Sequence, residues 1–476
     1  MPDLLAALVV KMMVLLSPLG PEQLNTSLDP LLLDKAEQID VVSISGKFSY
    51  AEYRERHAVS RNLVGFPSHS IAPTAIPFGG YLLKKDRMVK NKGSRCGYIL
   101  PLGHSAASVN LLGFQELAIS GKFSGTWKLA FADDALAAVQ ENVEFGTVAS
   151  SGIHRFSLRN LLDSADLSRS RQMVLLLASN SGSARVDEVT FSHQQRSGAD
   201  AGRGIWIWRR DMVLGREESV AQRLTAQGVR RVYLQVGDDP DVFAPFLSRA
   251  ASAGIEVYAL DGSPGYVAAP QELLVRISRV ENYNQGHPEA RYAGFQVDIE
   301  PYLNKDFASR KSYYAAAYVE LLDKIKTSYA LPLSVVVPFW FDTVYAEGKS
   351  LLQCIFERTD EVVVMSYRTD PRAVLEISRS ALSLGEQLGK PVRLGVELGP
   401  IPDEQHQEFD RCQASSTGAV RLGSAWWCSG GEYLVPGSRI SFRSKMEELP
   451  SFMQTGIPFS SFRGWVLHSY EEMSPR

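Results

Sequence analysis

The chain has only four cysteines in 476 residues, Cys96, Cys354, Cys412 and Cys428. No two form a C-x-x-C pair and no histidine cluster accompanies them, so neither a metal centre nor a cofactor is expected. A dominant charge is also missing. Lys plus Arg (50) nearly balances Asp plus Glu (53), which leaves no basic field to attract phosphate backbones and makes nucleic acid an unexpected partner. No uninterrupted run of about 18 apolar residues occurs, so no transmembrane span is expected. Glycine-rich phosphate loops and Ser/His/Asp orders are absent as well.

Residues 1–38 form an apolar N-terminal segment in which Lys11 splits the run Leu4 to Leu16 and no positive n-region precedes it. It reads equally as a packing helix or as a signal sequence. Cys412 and Cys428 bracket a Gly/Ser-rich stretch containing Trp426 and Trp427. They close as a disulfide if the protein is exported, and a reduced pair is equally allowed. A periplasmic or secreted location is the expectation, with a cytoplasmic one left open. Oligomeric state is not legible.

A hydrophobic content of 45% over this length is enough for two cores. The 18 Tyr, 21 Phe and 7 Trp suit sugar-ring stacking and equally suit large β-rich cores. Residues 39–191 show short β-rich runs separated by Gly, Ser, Asn and Asp, the pattern of a β-sandwich. Leu117 to Phe131 is its clearest piece, with Ser-Gly turns between alternating strands; further strands are expected at Met173 to Leu177 and Val186 to Phe191. Residues 192–203 are small, polar and aperiodic, as in a linker.

From residue 204 to 476 apolar strands alternate with helical stretches such as Arg216 to Gly228 and Ser312 to Ser328. Strands are expected near Gly204, Arg231, Ile255, Gly294, Leu333, Glu361, Val392 and Gly464. Eight such repeats predict a (β/α)8 barrel, so the fold class is an all-β jelly-roll sandwich followed by an α/β TIM barrel. After the last strand there is little room for an eighth helix, and the apolar N-terminal stretch or the sandwich is expected to cover that strand. An insertion from about Pro402 to Phe459, holding both late cysteines, is expected to wall a cleft on the C-terminal face.

Catalytic groups on such a barrel project from the C-terminal ends of strands. Strand four carries Gln296, Asp298 and Glu300 at alternate positions, so all three share one side. A carboxyl group that protonates a glycosidic oxygen must hold its proton near neutrality, and a second carboxylate nearby raises its pKa. Arginines holding the pair as a purely structural element are the competing reading. Glu397 ends strand seven; with Glu300 it would give the two-carboxylate retaining arrangement, or else it pairs with Arg393 or Arg368. Trp208 and Arg209, Gln235 and Asp238, Asp261, Trp340 and Asp342, and His468 with Glu471 stand at other strand ends, mostly as expected subsite contacts. His468 is equally expected to be a satisfied core residue.

Ala293 to Glu300 resembles the Asp-Gly-x-Asp-x-Asp-x-Glu strand of the chitinase-like family 18 glycoside hydrolases, with Gly294, Asp298 and Glu300 matching. Ala293 and Gln296 replace the first two aspartates. The resemblance implies that Glu300 is the general acid and that Asp298 orients a substrate N-acetyl group. Met365-Ser366-Tyr367 resembles the family's Met-x-Tyr, which would give Tyr367 an acetamido contact, although Arg368 follows where Asp is usual. Trp465 resembles the tryptophan flooring the sugar subsite, with core packing its other reading. Tyr302, Trp340 and Tyr367 are expected to stack on sugar rings or hydrogen-bond to them. Asp166 to Gln172, the apolar strand after it and Ala184 to Val189 resemble the closing strands of galactose-binding-like jelly rolls, implying a carbohydrate-binding module. The expected partner is a carbohydrate substrate; the alternative is a non-catalytic carbohydrate-binding or envelope scaffold protein.

Overall fold

The structure, a computed structural model, describes residues 202–457 and 459–473 continuously. Before them it describes residues 28, 30–33, 36, 38–45, 48–54, 68–71, 76–83, 88–102, 111, 114, 116–132, 143–158, 172–177 and 181–192. The segment Leu4 to Leu16, most of Asp166 to Gln172 and most of the linker lie outside the described residues.

Eight parallel strands close into a barrel: Arg203–Ile207, Val229–Gln235, Glu256–Asp261, Gly294–Val297, Leu333–Pro338, Glu361–Met365, Val392–Glu397 and Phe462–His468. Each is an apolar run because both of its faces are covered. Outward side chains such as Phe295, Val297 and Ile299 join the large core beneath the helices. Inward ones (Trp206, Tyr233, Tyr258, Leu260, Val336, Val363 and Val466) form a separate cluster that fills the barrel. The longest helices, Lys311–Ser328 and Pro371–Leu388, fall where helical period was expected or just after a strand. In the second, Asp370 accepts from the backbone N–H groups of Arg372 and Ala373, and Gly389 stops the helix at φ 67°.

Of the elements expected to cover the eighth strand, Leu4 to Leu16 lies outside the described residues, and among those described it is the insertion that packs on this strand. Trp465 packs its ring 4.8 Å from Phe452 and donates its Nε1–H to the Met453 carbonyl at 3.0 Å. Among the described residues, the tail of the insertion therefore supplies an outer layer over this strand. Trp465 faces that layer rather than the cleft, because alternation along the strand sends Val466 and His468 inward.

The β-sandwich is a nine-strand sheet folded on itself. Strand Val89–Pro101 belongs to both layers: its start pairs with Ser183–Ser192, and its end pairs with Gln172–Leu177. Strands Glu116–Ser124 and Trp127–Ala132 do not form a hairpin. The first pairs with Gly152–Ser157 and Ser183–Ser192, the second with Val143–Val148 and Gln172–Leu177. The Ser124-Gly125 turn crosses between layers, so that Leu117 and Ile119 meet Trp127 and Phe131 in one core.

The first strands of the stretch read as sandwich belong elsewhere. Gln38–Ile44 and Phe48–Arg54 form a hairpin whose first strand pairs antiparallel with Glu404–Cys412 of the barrel insertion. Ala425–Val435 and Val420–Leu422 complete this five-stranded sheet. Its strand Gln38–Ile44 is buried on both faces. Ile39, Val41 and Trp427 pack with Leu28 and Leu33 in the core around helix Pro30–Leu33, while Val42 and Tyr50 join the core of the barrel. Cys412 and Cys428 form a disulfide across it, with Cα atoms 5.9 Å apart.

Candidate active site

Strand four ends at Val297, and the next residues carry Asp298 and Glu300 over the mouth of the barrel. Gly262, after strand three, permits this path: a Cβ there would fall 1.9 Å from the Asp298 carbonyl oxygen. Both acidic side chains are half-buried. Asp298 Oδ1 is fully enclosed and has no hydrogen-bond partner among the described residues. Glu300 Oε2 accepts from the Tyr302 hydroxyl at 2.5 Å. Burial, then the charge of Glu300, pushes the Asp298 carboxyl well above the usual carboxylate range. Burial also raises Glu300, against the opposing effects of the Tyr302 hydrogen bond and His468.

Strands six, seven and eight bring three more groups to the same mouth. Tyr367 lies within electrostatic reach of Glu397, Asp298 and Glu300, and burial followed by these charges holds its hydroxyl well above its ordinary value. Its ring is 5.8 Å from that of His468. The Glu397 carboxylate accepts from Gly399 N–H at 2.6 Å and from His468 Nδ1 at 2.8 Å. Trp208, from strand one, stands edge-on to His468, and its buried Nε1–H has no partner. Glu397 therefore pairs with neither Arg393 nor Arg368. Arg393 bonds Glu361 at 3.0 Å and Arg368 bonds Glu404 at 2.8 Å.

Other expected contacts are engaged away from the mouth. Gln296 is fully buried inside the barrel, accepting from Trp206 Nε1 at 2.7 Å and donating to Ser334 Oγ at 2.9 Å. Asp261 is buried on the helix side, paired with Arg276 at 2.6 Å. Asp238 also bonds Arg276, and Asp342 accepts from Ser380. Arg209 pairs with Asp211 in solvent, and Glu471 accepts from the backbone N–H groups of Trp208 and Arg209. Trp340 is buried, its ring parallel to Tyr50 at 5.4 Å and edge-on to Tyr302 at 5.1 Å.

Tyr50 was not legible as a site neighbour. With Phe48 (4.8 Å from Tyr302), it packs the N-terminal hairpin against the residue that holds Glu300. A buried polar chain locks the same hairpin down: Arg368 to Glu404, Glu404 to His406 at 3.2 Å, His406 to Asp40 at 2.9 Å, and Tyr433 to Asp40 at 2.7 Å. Residues 40 and 406 are joined only by the fold, and no local pattern announces the pairing.

The fold is a closed parallel (β/α) barrel joined to an antiparallel β-sandwich. No protein-family model matches the sequence, and no curated protein sequence does. Similar solved structures include a Clostridium thermocellum endo-1,4-β-D-xylanase 10B with CBM22-1 and GH10 modules, at 12% identity and TM-score 0.29, covering 69% of this chain and 80% of that one. A family GH18 chitinase from Cycas revoluta is similar at 11% identity and TM-score 0.33 (57% and 95% covered). A family 29 carbohydrate-binding module from Piromyces equi is similar at 10% identity and TM-score 0.20, over 26% of this chain and 90% of that one.

Proposed function

We propose that the chain is a glycoside hydrolase acting on a polysaccharide or oligosaccharide, with Glu300 as general acid and Asp298 assisting it. One observation carries the reading: two carboxyl groups stand two residues apart at the barrel mouth, both held toward the protonated form, with no cation bonded to either among the described residues. A protonated carboxyl at the mouth of a barrel can deliver its proton to a glycosidic oxygen. The match of Gly294, Asp298 and Glu300 to the chitinase-like strand favours a sugar chain containing N-acetylhexosamine. The disulfide supports export to the periplasm or beyond. Glu397 as a retaining nucleophile ranks second because both its oxygens already accept hydrogen bonds.

The test is turnover of a panel of fluorogenic β-linked oligosaccharides by the parent and by Glu300→Gln. Loss of general acid catalysis lowers kcat on the order of 10²–10⁴-fold while substrate binding is retained. A parent that binds oligosaccharide but turns over none of the panel supports a non-catalytic carbohydrate-binding or scaffold barrel instead. That reading is favoured by Gln296, which stands locked between Trp206 and Ser334 where the resembled strand has an acid.

A further inference from the structure

If Glu300 gives its proton to the leaving oxygen, another group must take one from the attacking water. Asp298 is poorly suited, since its surroundings favour the protonated form. Glu397 is engaged on both oxygens. His468 remains. Its Nδ1 lies 2.8 Å from Glu397 Oε2, and a carboxylate only accepts, so Nδ1 carries the hydrogen and the neutral ring keeps its lone pair on Nε2. Among the described residues Nε2 has no hydrogen-bond partner, and the side chain is 32% exposed. Tyr367 and Trp208 flank the ring.

We propose that His468 is the base for the attacking water and that Glu397 is its positioning residue. This rests on the reading of Glu300 as the acid. In one step the water oxygen bonds to the anomeric carbon as the glycosidic C–O bond breaks. One water proton passes to His468 Nε2, and the Glu300 proton passes to the departing oxygen. The enzyme is left with imidazolium and carboxylate, and proton exchange with solvent resets both. Attack by water without a covalent intermediate inverts the anomeric centre.

The experiment uses the full chain on the member of the fluorogenic panel that the parent cleaves fastest. His468→Ala and His468→Gln are expected to lower kcat at least a hundredfold with KM changed less than threefold. Added imidazole is expected to restore part of the His468→Ala rate but not that of Glu397→Gln. Proton NMR of the first-formed sugar should show the inverted anomer. Thermal melting within a few degrees of the parent identifies folded variants, and where His468→Ala fails to fold, His468→Gln and the product anomer decide. A His468 variant with kcat within twofold of the parent overturns the proposal, as does a retained anomer, even while Glu300→Gln is inactive. An active Glu300→Gln overturns the acid assignment instead. A parent that cleaves nothing in the panel overturns both.

Discussion

Two kinds of buried carboxyl group occur in one barrel, and their partners separate structure from chemistry. Glu361 at the start of strand six is met by Arg231, by Arg393 at 3.0 Å, by Tyr233 at 2.6 Å and by Ser334 at 3.1 Å. It plugs the N-terminal end of the barrel with every charge answered. Glu361→Gln would leave the buried Arg393 without its carboxylate partner and Arg231 with Glu256 alone, and a loss of about 3–5 kcal/mol is expected from chemical denaturation. Asp298 has no such compensation. Because its pKa is raised on folding, the folded chain keeps a proton that the unfolded chain releases as pH climbs past the ordinary aspartate value. Its contribution to stability is thus full at acid pH and is lost as pH rises toward the folded value. Asp298→Asn is expected to flatten that decline, by up to about 1.4 kcal/mol per pH unit. Denaturation series at pH 5 and pH 8 check this, and equal slopes in parent and variant would refute it.

At the scale of elements, the hairpin of residues 38–54 is the least anticipated part of the site. Tyr50 packs flat on Trp340, which in turn supports Tyr302 and so the orientation of Glu300. Tyr50→Ala is expected to cost about 3–5 kcal/mol, as for other buried aromatic truncations, and to lower kcat together with the melting temperature. The polar chain beside it carries a pH signature. His406, lodged between Asp40 and Glu404 with Arg368 and Tyr433 nearby, is shifted up to about 9 although burial opposes the shift. A raised histidine pKa stabilises the fold fully below the unfolded value near 6.5 and loses that contribution as pH passes about 9. Hydrogen exchange at strand Gln38–Ile44 should therefore accelerate above pH 9 relative to the barrel strands, and the excess should vanish in His406→Gln. The disulfide staples the neighbouring strands across 16 residues, and by chain entropy its removal should cost about 3 kcal/mol. A reduced protein with unchanged stability would contradict that figure.

Across the whole molecule, the chain leaves the barrel's sheet neighbour at Arg54, builds the sandwich and returns to begin the barrel at Arg203. The sandwich is thereby inserted between two parts of one unit. A protease site placed within residues 193–201 tests this: after cleavage the fragments should co-elute under native conditions and part only in denaturant, held by seven register pairs between strand Gln38–Ile44 and the insertion. Fragments that separate at once would show that the pairing does not suffice.

The sequence by itself determined the eight barrel strands within a few residues, because each is an apolar run covered on both sides and punctuated by a helix. It also pointed to Asp298, Glu300 and Glu397, since they stand at or just beyond the ends of strands four and seven. Only the tertiary structure decided which of these groups meet. Asp261, Trp465 and Glu361 look like site residues or core by type, yet their roles depend on Arg276, Phe452 and Arg231, partners that no period in the sequence connects to them. The capture of residues 38–54 by residues 404–412 was illegible for the same reason: strand pairing is made by backbone groups common to every residue, and side chains name the partner only when the two faces are brought together.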